Sequence, residues 1–215
     1  CARASAKCPQ LGVASPFFIR EFYPCEEEMS EDCLYLNIWT PALRGCGSGS
    51  EIRTDSRCDG HGLPVMVWLY GGAFQTGSTC EKEFNGEQLA RQGVVVVSIA
   101  YRLNVFGFFA HAMLEKEAVD GRPCANFGFL DQRMGIQWVK DNIALFGGDP
   151  ANITVFGQSA GAASALAQSV SPMNDGLFQR VIMQSGGGTG LFNRHLWSLE
   201  DAQRNGARFL KYLEV

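Results

Sequence analysis

Residues 153–170 read ITVFGQSAGAASALAQSV. A β-branched and aromatic run at 153–156 gives way at Gly157-Gln158-Ser159-Ala160-Gly161 to an alanine-rich stretch. The pattern predicts a short strand, a glycine-flanked turn, and a helix from about Ala160 to Val170. A serine at such a turn holds its backbone under strain, and the glycines two positions away let strand and helix pass closely. Its hydroxyl stands above the sheet edge, and the helix behind it aims its N-terminus at developing negative charge. At this chain's glycine and serine frequencies, G-x-S-x-G arises by chance roughly 0.2 times. The strand before it and the small-residue helix after it are what give the motif weight.

The flanking sequence extends the same alternation in both directions. Upstream, residues 64–70 (PVMVWLY) and 94–100 (VVVVSIA) are almost continuously apolar, as strands buried on both faces are. Residues 87–92 between them have helical composition and suit a short crossover. Residues 33–40 (CLYLNIWT) alternate apolar and polar and end at Pro41, which reads as a further strand. From 130 to 146, Leu130, Met134 and Trp138 together with Ile136, Val139 and Ile143 read as one apolar helix face, stopped by Gly147-Gly148. Downstream, a last strand at 181–184 ends in Ser185-Gly186-Gly187-Gly188. Buried strands alternating with helices predict an α/β fold with a largely parallel sheet. The Gly/Ser-rich stretch at 44–62 reads as a surface loop within a single domain over 1–215.

Composition excludes several function classes. A net charge of −4 leaves no electrostatic footprint for nucleic acid or an anionic membrane surface. The longest apolar runs fall far short of the roughly 18–20 residues that cross a bilayer. None of the eight cysteines stands in a C-x-x-C or other zinc-like spacing, so free thiols and disulfide pairing both remain open. The sequon Asn152-Ile153-Thr154 runs into a predicted buried strand and is a poor glycosylation site. The compartment is left open, with scattered cysteines and no useful sequon favouring a bacterial-type cytosolic enzyme over export. Because the chain starts at Cys1, it is expected to be an internal piece of a longer protein. Alone it would leave sheet edges and core surface uncovered, with poor solubility and negligible turnover.

A second element points to the same chemistry as the serine. Tyr70-Gly71-Gly72-Ala73-Phe74 follows a buried strand earlier in the chain. A hydrolase of this architecture needs backbone N–H groups converging on a substrate oxyanion, one from the residue after the nucleophile and others from a glycine-rich loop. Ala160, Gly72 and Ala73 fit those positions; the alternative for the loop is a plain strand-end turn. The serine also needs a base, and the base an orienting acid, in the chain order Ser, acid, His. Of the three histidines, His61 and His111 precede Ser159 and only His195 follows, with Asp175 the one acid between. A single predicted strand after the turn is too little to carry both, so the acid and histidine are expected outside this chain.

Four stretches together resemble the type-B carboxylesterase/lipase family, which includes cholinesterases and the neuroligin adhesion proteins. They are 30–39 (SEDCLYLNIW), 65–74 (VMVWLYGGAF), 126–138 (NFGFLDQRMGIQW) and 146–161 (FGGDPANITVFGQSAG). The first and last resemble the family's two signature segments, and the similarity runs from about Cys8 to Ser185. The resemblance implies an α/β-hydrolase fold, incomplete in this fragment, with a mostly parallel central sheet and flanking helices. It implies Ser159 as acyl-forming nucleophile, with Gly72, Ala73 and Ala160 as the oxyanion hole. It also implies a disulfide between Cys8 and Cys33, an acyl-pocket aromatic at Phe192, and no metal or organic cofactor. The expected partner is a small-molecule carboxylic ester. Cholinesterases carry Glu before the nucleophile and Trp before the second disulfide cysteine; here Gln158 and about Tyr23 stand there, which argues against a quaternary ammonium substrate. A non-catalytic adhesion or binding module is the rival reading, although such relatives usually lose the serine that this chain keeps.

Overall fold

The computed structural model describes residues 5–11, 28–41, 62–117, 125–186 and 196–214. Within them five strands form one sheet: β1 (Leu36–Trp39), β2 (Leu63–Leu69), β3 (Val95–Ile99), β4 (Gly148–Gln158) and β5 (Arg180–Gln184). Their spatial order is β1-β3-β2-β4-β5. The β2–β3, β2–β4 and β4–β5 pairs are parallel, and β1 alone runs antiparallel, against β3. The mostly parallel sheet with flanking helices expected from the sequence is therefore present. Among the described residues five α-helices accompany it: α1 (Glu87–Ala90), α2 (Asn104–Phe108), α3 (Phe127–Asn142), α4 (Ala160–Val170) and α5 (Leu199–Tyr212). Among the described residues no helix is long and apolar enough to cross a membrane. The Gly/Ser-rich loop at 44–62 lies almost wholly outside the described residues.

The unbroken apolar runs are explained by the two-residue period of a strand with cores on both sides. On one face of the sheet Val65, Val67, Leu69, Val95, Val97, Ile99, Ile153 and Val155 are buried together against Ile136, Val139 and Ile143. On the other, Trp68, Tyr70, Tyr101, Leu103 and Phe156 form a second cluster with Cys8 and Cys33. Trp68 packs between Phe84 and Phe156, with ring centroids 5.1 and 4.8 Å away. The two clusters hold the C-terminal ends of β2 and β4 side by side, in the register Trp68↔Phe156 and Leu69↔Gly157.

The single helix face expected over 130–146 is corrected. Ile136, Val139 and Ile143 are fully buried, but Leu130, Met134 and Trp138 are exposed, Met134 by 68%. At about 100° per residue the two rows lie on nearly opposite sides of a helix, so only one can meet the sheet. The β-branched row does so. The helix itself ends at Asn142, and Ile143–Phe146 continues as a 3-10 turn to Gly147, which adopts φ +79°.

One ion pair ties α3 to the segment leaving β3. Asp131, with its side chain 6% exposed, accepts from the Arg102 backbone amide (3.0 Å), Nε (2.8 Å) and Nη2 (2.7 Å). Asp131→Ala leaves a partly buried guanidinium and an amide without their acceptor, a change expected to cost about 2 kcal/mol. A lower urea midpoint with an unchanged m-value checks this.

Candidate active site

Ser159 stands between β4 and α4 with φ +55° and ψ −120°, a backbone conformation that L-residues avoid. Three glycines make the bend possible. A Cβ on Gly157 would lie 2.7 Å from the Leu69 carbonyl oxygen and overlap the Gly161 carbonyl. A Cβ on Gly161 would overlap the Leu69 carbonyl oxygen and come 2.8 Å from that of Tyr70. A Cβ on Gly186, just past β5, would sit 2.6 Å from the Ser159 carbonyl oxygen. The turn is also tied on both sides. The Ser159 amide donates to the Gln184 carbonyl (2.9 Å), and the Ser159 carbonyl accepts from the Ala163 amide (3.0 Å). Ser159 itself remains partly exposed.

The second element lies against the first. A Cβ on Gly71 would approach Ser159 Cβ to 3.2 Å and the Gln158 carbonyl oxygen to 2.8 Å, so only glycine lets the loop after β2 come this near. The loop folds back tightly, the Gly72 carbonyl accepting from the amides of Gln75 (2.9 Å) and Thr76 (3.1 Å). Ala73 and Phe74 both take positive φ, +56° and +61°. Gly72 and Ala73 are exposed. Among the described residues, no group accepts from the backbone N–H of Gly72, Ala73 or Ala160. At the loop's root Tyr70 stacks on Tyr101 at 4.4 Å, and each hydroxyl donates to the other's carbonyl, at 3.1 and 2.7 Å.

Past the loop, Glu81 is a buried carboxylate, 5% exposed. Its Oε1 accepts from the Ser78 amide (2.9 Å), and among the described residues Oε2 has no hydrogen-bond partner. Desolvation pushes its pKa up to about 7, against the pull of the Ser78 amide. A carboxyl raised in the folded state holds a proton that the unfolded chain has already released. Stability therefore falls as pH climbs from about 4.5 through 7, by up to about 3 kcal/mol. Glu81→Gln is expected to flatten this dependence; melting both proteins between pH 4.5 and 8.5 would show it.

Gln158 is exposed at the end of β4, immediately before the serine. Cys8 and Cys33, the pair for which the resemblance implies a disulfide, are buried neighbours in one cluster and stand here as free thiols, a placement that leaves their oxidation to the compartment. The Cys33 thiol and the Leu103 amide, 3.3 Å from Cys8 Sγ, hold Cys8 down to about 7, while that same contact holds Cys33 up. Cys80 is disulfide-bonded, so pairing rather than free thiol applies to it. His111 stacks on Phe109 and accepts from the Met113 amide, a local role. Asp175 follows α4, before β5 begins. Because β4 and β5 are parallel, Asp175, which precedes β5, enters from the N-terminal ends of these strands, whereas Ser159 stands at their C-terminal ends. His61, His195, Phe192 and Tyr23 lie outside the described residues. Gly71 and Gly186, each in a run of glycines after an apolar strand, are sites of close backbone approach, as such runs suggest in the sequence, and both pack against Ser159.

A model of the carboxylesterase family matches residues 1–207. The chain is 43% identical over 177 residues to fumonisin B1 esterase of Sphingopyxis macrogoltabida, covering 82% of this chain and 29% of that protein. It is 48% identical over 163 residues to bile salt-activated lipase of Mus musculus, covering 73% and 24%. Among solved structures it is similar to a thermophilic PNB esterase, with TM-score 0.76 and 35% identity, covering 99% of this chain and 38% of that one. The chain thus spans between a quarter and two fifths of the length of these relatives.

Proposed function

Because this chain belongs to the carboxylesterase family and has the α/β-hydrolase fold, we propose that it supplies the nucleophile and oxyanion hole of a serine hydrolase acting on small carboxylic esters. It reads as part of one hydrolase domain rather than as a domain of its own. In this reading Ser159 Oγ attacks the ester carbonyl, and the carbonyl oxygen becomes an oxyanion. The amides of Gly72, Ala73 and Ala160 receive that charge, with the N-terminus of α4 behind them. The alcohol leaves, an acyl group stays on Ser159, and water releases it as the acid. The proton transfers require a histidine and an acid from outside the described residues.

The observation that supports this reading is the contact between two strained backbones, the Ser159 turn and the loop at Gly71, where only glycine fits. Such strain persists only where the surrounding structure enforces it, and it concentrates at functional sites. A neutral Gln158 before the serine disfavours quaternary ammonium esters, so the substrate class is neutral carboxylic esters.

The test is exposure of the complete protein to a fluorophosphonate followed by mass analysis of its peptides. The expected adduct is on Ser159. A folded protein that takes up no label at Ser159 would end the hydrolase reading and leave the binding-module reading in its place.

A further inference from the structure

We propose that Gln10 is a positioning residue for the oxyanion loop, clasping it from outside the site. This rests on the serine-hydrolase reading above and names a residue that acts through the loop rather than on substrate. The loop cannot owe its shape to local preference, because Ala73, Phe74 and Gly77 all take positive φ (+56°, +61° and +118°) and two of them are not glycine. Something beyond the loop must hold it.

Phe74 packs on Phe108 and Phe129, and one short segment adds hydrogen bonds to this hold. The Gln10 side chain takes both backbone groups of Gly77: Oε1 accepts from the Gly77 amide (2.8 Å), and Nε2 donates to the Gly77 carbonyl (3.0 Å). Nε2 also donates to the Cys8 carbonyl (3.1 Å), which orients the carboxamide plane. The same segment reaches the middle of the loop through Asn104. Asn104 Nδ2 donates to the Pro9 carbonyl (2.8 Å), and its backbone amide donates to the Phe74 carbonyl (2.7 Å).

Gly77 transmits this clasp to the site. A Cβ there would meet the Tyr70 ring at 2.6 Å and the Gly71 carbonyl oxygen at 2.7 Å, so Gly77 backs directly onto the loop's root. Gly71 in turn backs onto Ser159. From the Gln10 carboxamide the path to the oxyanion loop therefore runs through the Gly77 backbone onto the Gly71 carbonyl and the Tyr70 ring.

A carboxamide donates and accepts at this spacing whatever the pH, and this makes the role testable. An ionised glutamate accepts but cannot donate, whereas a protonated one does both. Gln10→Glu and Gln10→Met, the latter filling the same space without hydrogen bonds, would be assayed in the complete protein on a nitrophenyl ester, with melting curves alongside. At pH 8 both variants are expected to lose roughly 10- to 100-fold in kcat, with KM within about twofold, because a displaced donor weakens only transition-state binding. As pH falls to the ordinary glutamate pKa of about 4.3, the kcat of Gln10→Glu relative to wild type should climb back part of the way towards one, while the Gln10→Met ratio stays flat. A Gln10→Glu ratio that does not change with pH, or losses confined to KM, would overturn the proposal. If wild type neither cleaves esters nor takes fluorophosphonate, the hydrolase reading itself fails. An active wild type matched by both variants removes only the role of Gln10.

Discussion

Ser159→Ala is expected to lower ester turnover by about a millionfold, the scale seen when the nucleophile of a serine hydrolase is removed. The loss should appear in kcat. On the proposed serine-hydrolase reading the amides of Gly72, Ala73 and Ala160 survive the change, so ground-state binding and KM are expected to be little altered. Stability should stay within about 0.5 kcal/mol of wild type, because alanine inherits the same φ of +55° and loses only a partly exposed hydroxyl. Ser159→Gly separates the two effects further. Glycine tolerates φ +55° and ψ −120°, so releasing the strain should raise stability by about 1 kcal/mol net of the added unfolded-state freedom, with activity equally lost. A variant that is dead and more stable is the signature of backbone strain held in place for chemistry. If the chain served only as a binding module, neither substitution would change its function. Single-turnover kinetics with thermal melts on the three proteins decide the matter.

The parts of this site that were legible from sequence are those that sterics write into residue type. Gly157 and Gly161 flank Ser159 because β4, α4 and the end of β2 meet backbone to backbone, and no other residue leaves room. The apolar runs of β2 and β3 were legible for a similar reason, since burial on both faces admits no polar alternation. Direction was not legible for β1: alternation is the same whether a strand runs parallel or antiparallel, and its pairing with β3 is antiparallel. The start of β4 was also missed. It begins at Gly148, through Asp149 and Pro150, residues that punctuate loops when read locally. Gln10 was invisible because its two bonds to Gly77 span 67 residues and obey no period. The pairing of Cys8 with Cys33 came only from the resemblance; the geometry places the thiols together, while their oxidation is a matter of redox poise rather than of fold.

Gly161→Ala tests whether that backbone contact, rather than helix propensity, governs the turn. Propensity alone predicts a gain, since glycine in a helix costs about 1 kcal/mol relative to alanine. The contact predicts the reverse. The new methyl would overlap the Leu69 carbonyl oxygen and lie 2.7 Å from its carbon and 2.8 Å from the Tyr70 oxygen. These are backbone atoms of the central strand, so no rotamer change relieves the overlap; α4 and β2 must separate. Overpacking of this kind costs 1–3 kcal/mol or more, and here it acts on the fully buried Ala160–Ala163 and Leu69. The expected result is a net loss of about 3 kcal/mol in urea unfolding. Activity should fall further than stability suggests. A separation of about 1 Å between Ser159 and the Gly71–Ala73 loop misaligns attack and oxyanion binding together, which costs on the order of a hundredfold in kcat. Gly93→Ala is the control: its φ is +94° but nothing lies within 4 Å of the new methyl. It should lose only about 1 kcal/mol from strain and keep its kcat. If Gly161→Ala instead melts higher and works as well as wild type, then the close passage of α4 over β2 is not what holds Ser159 in its bend.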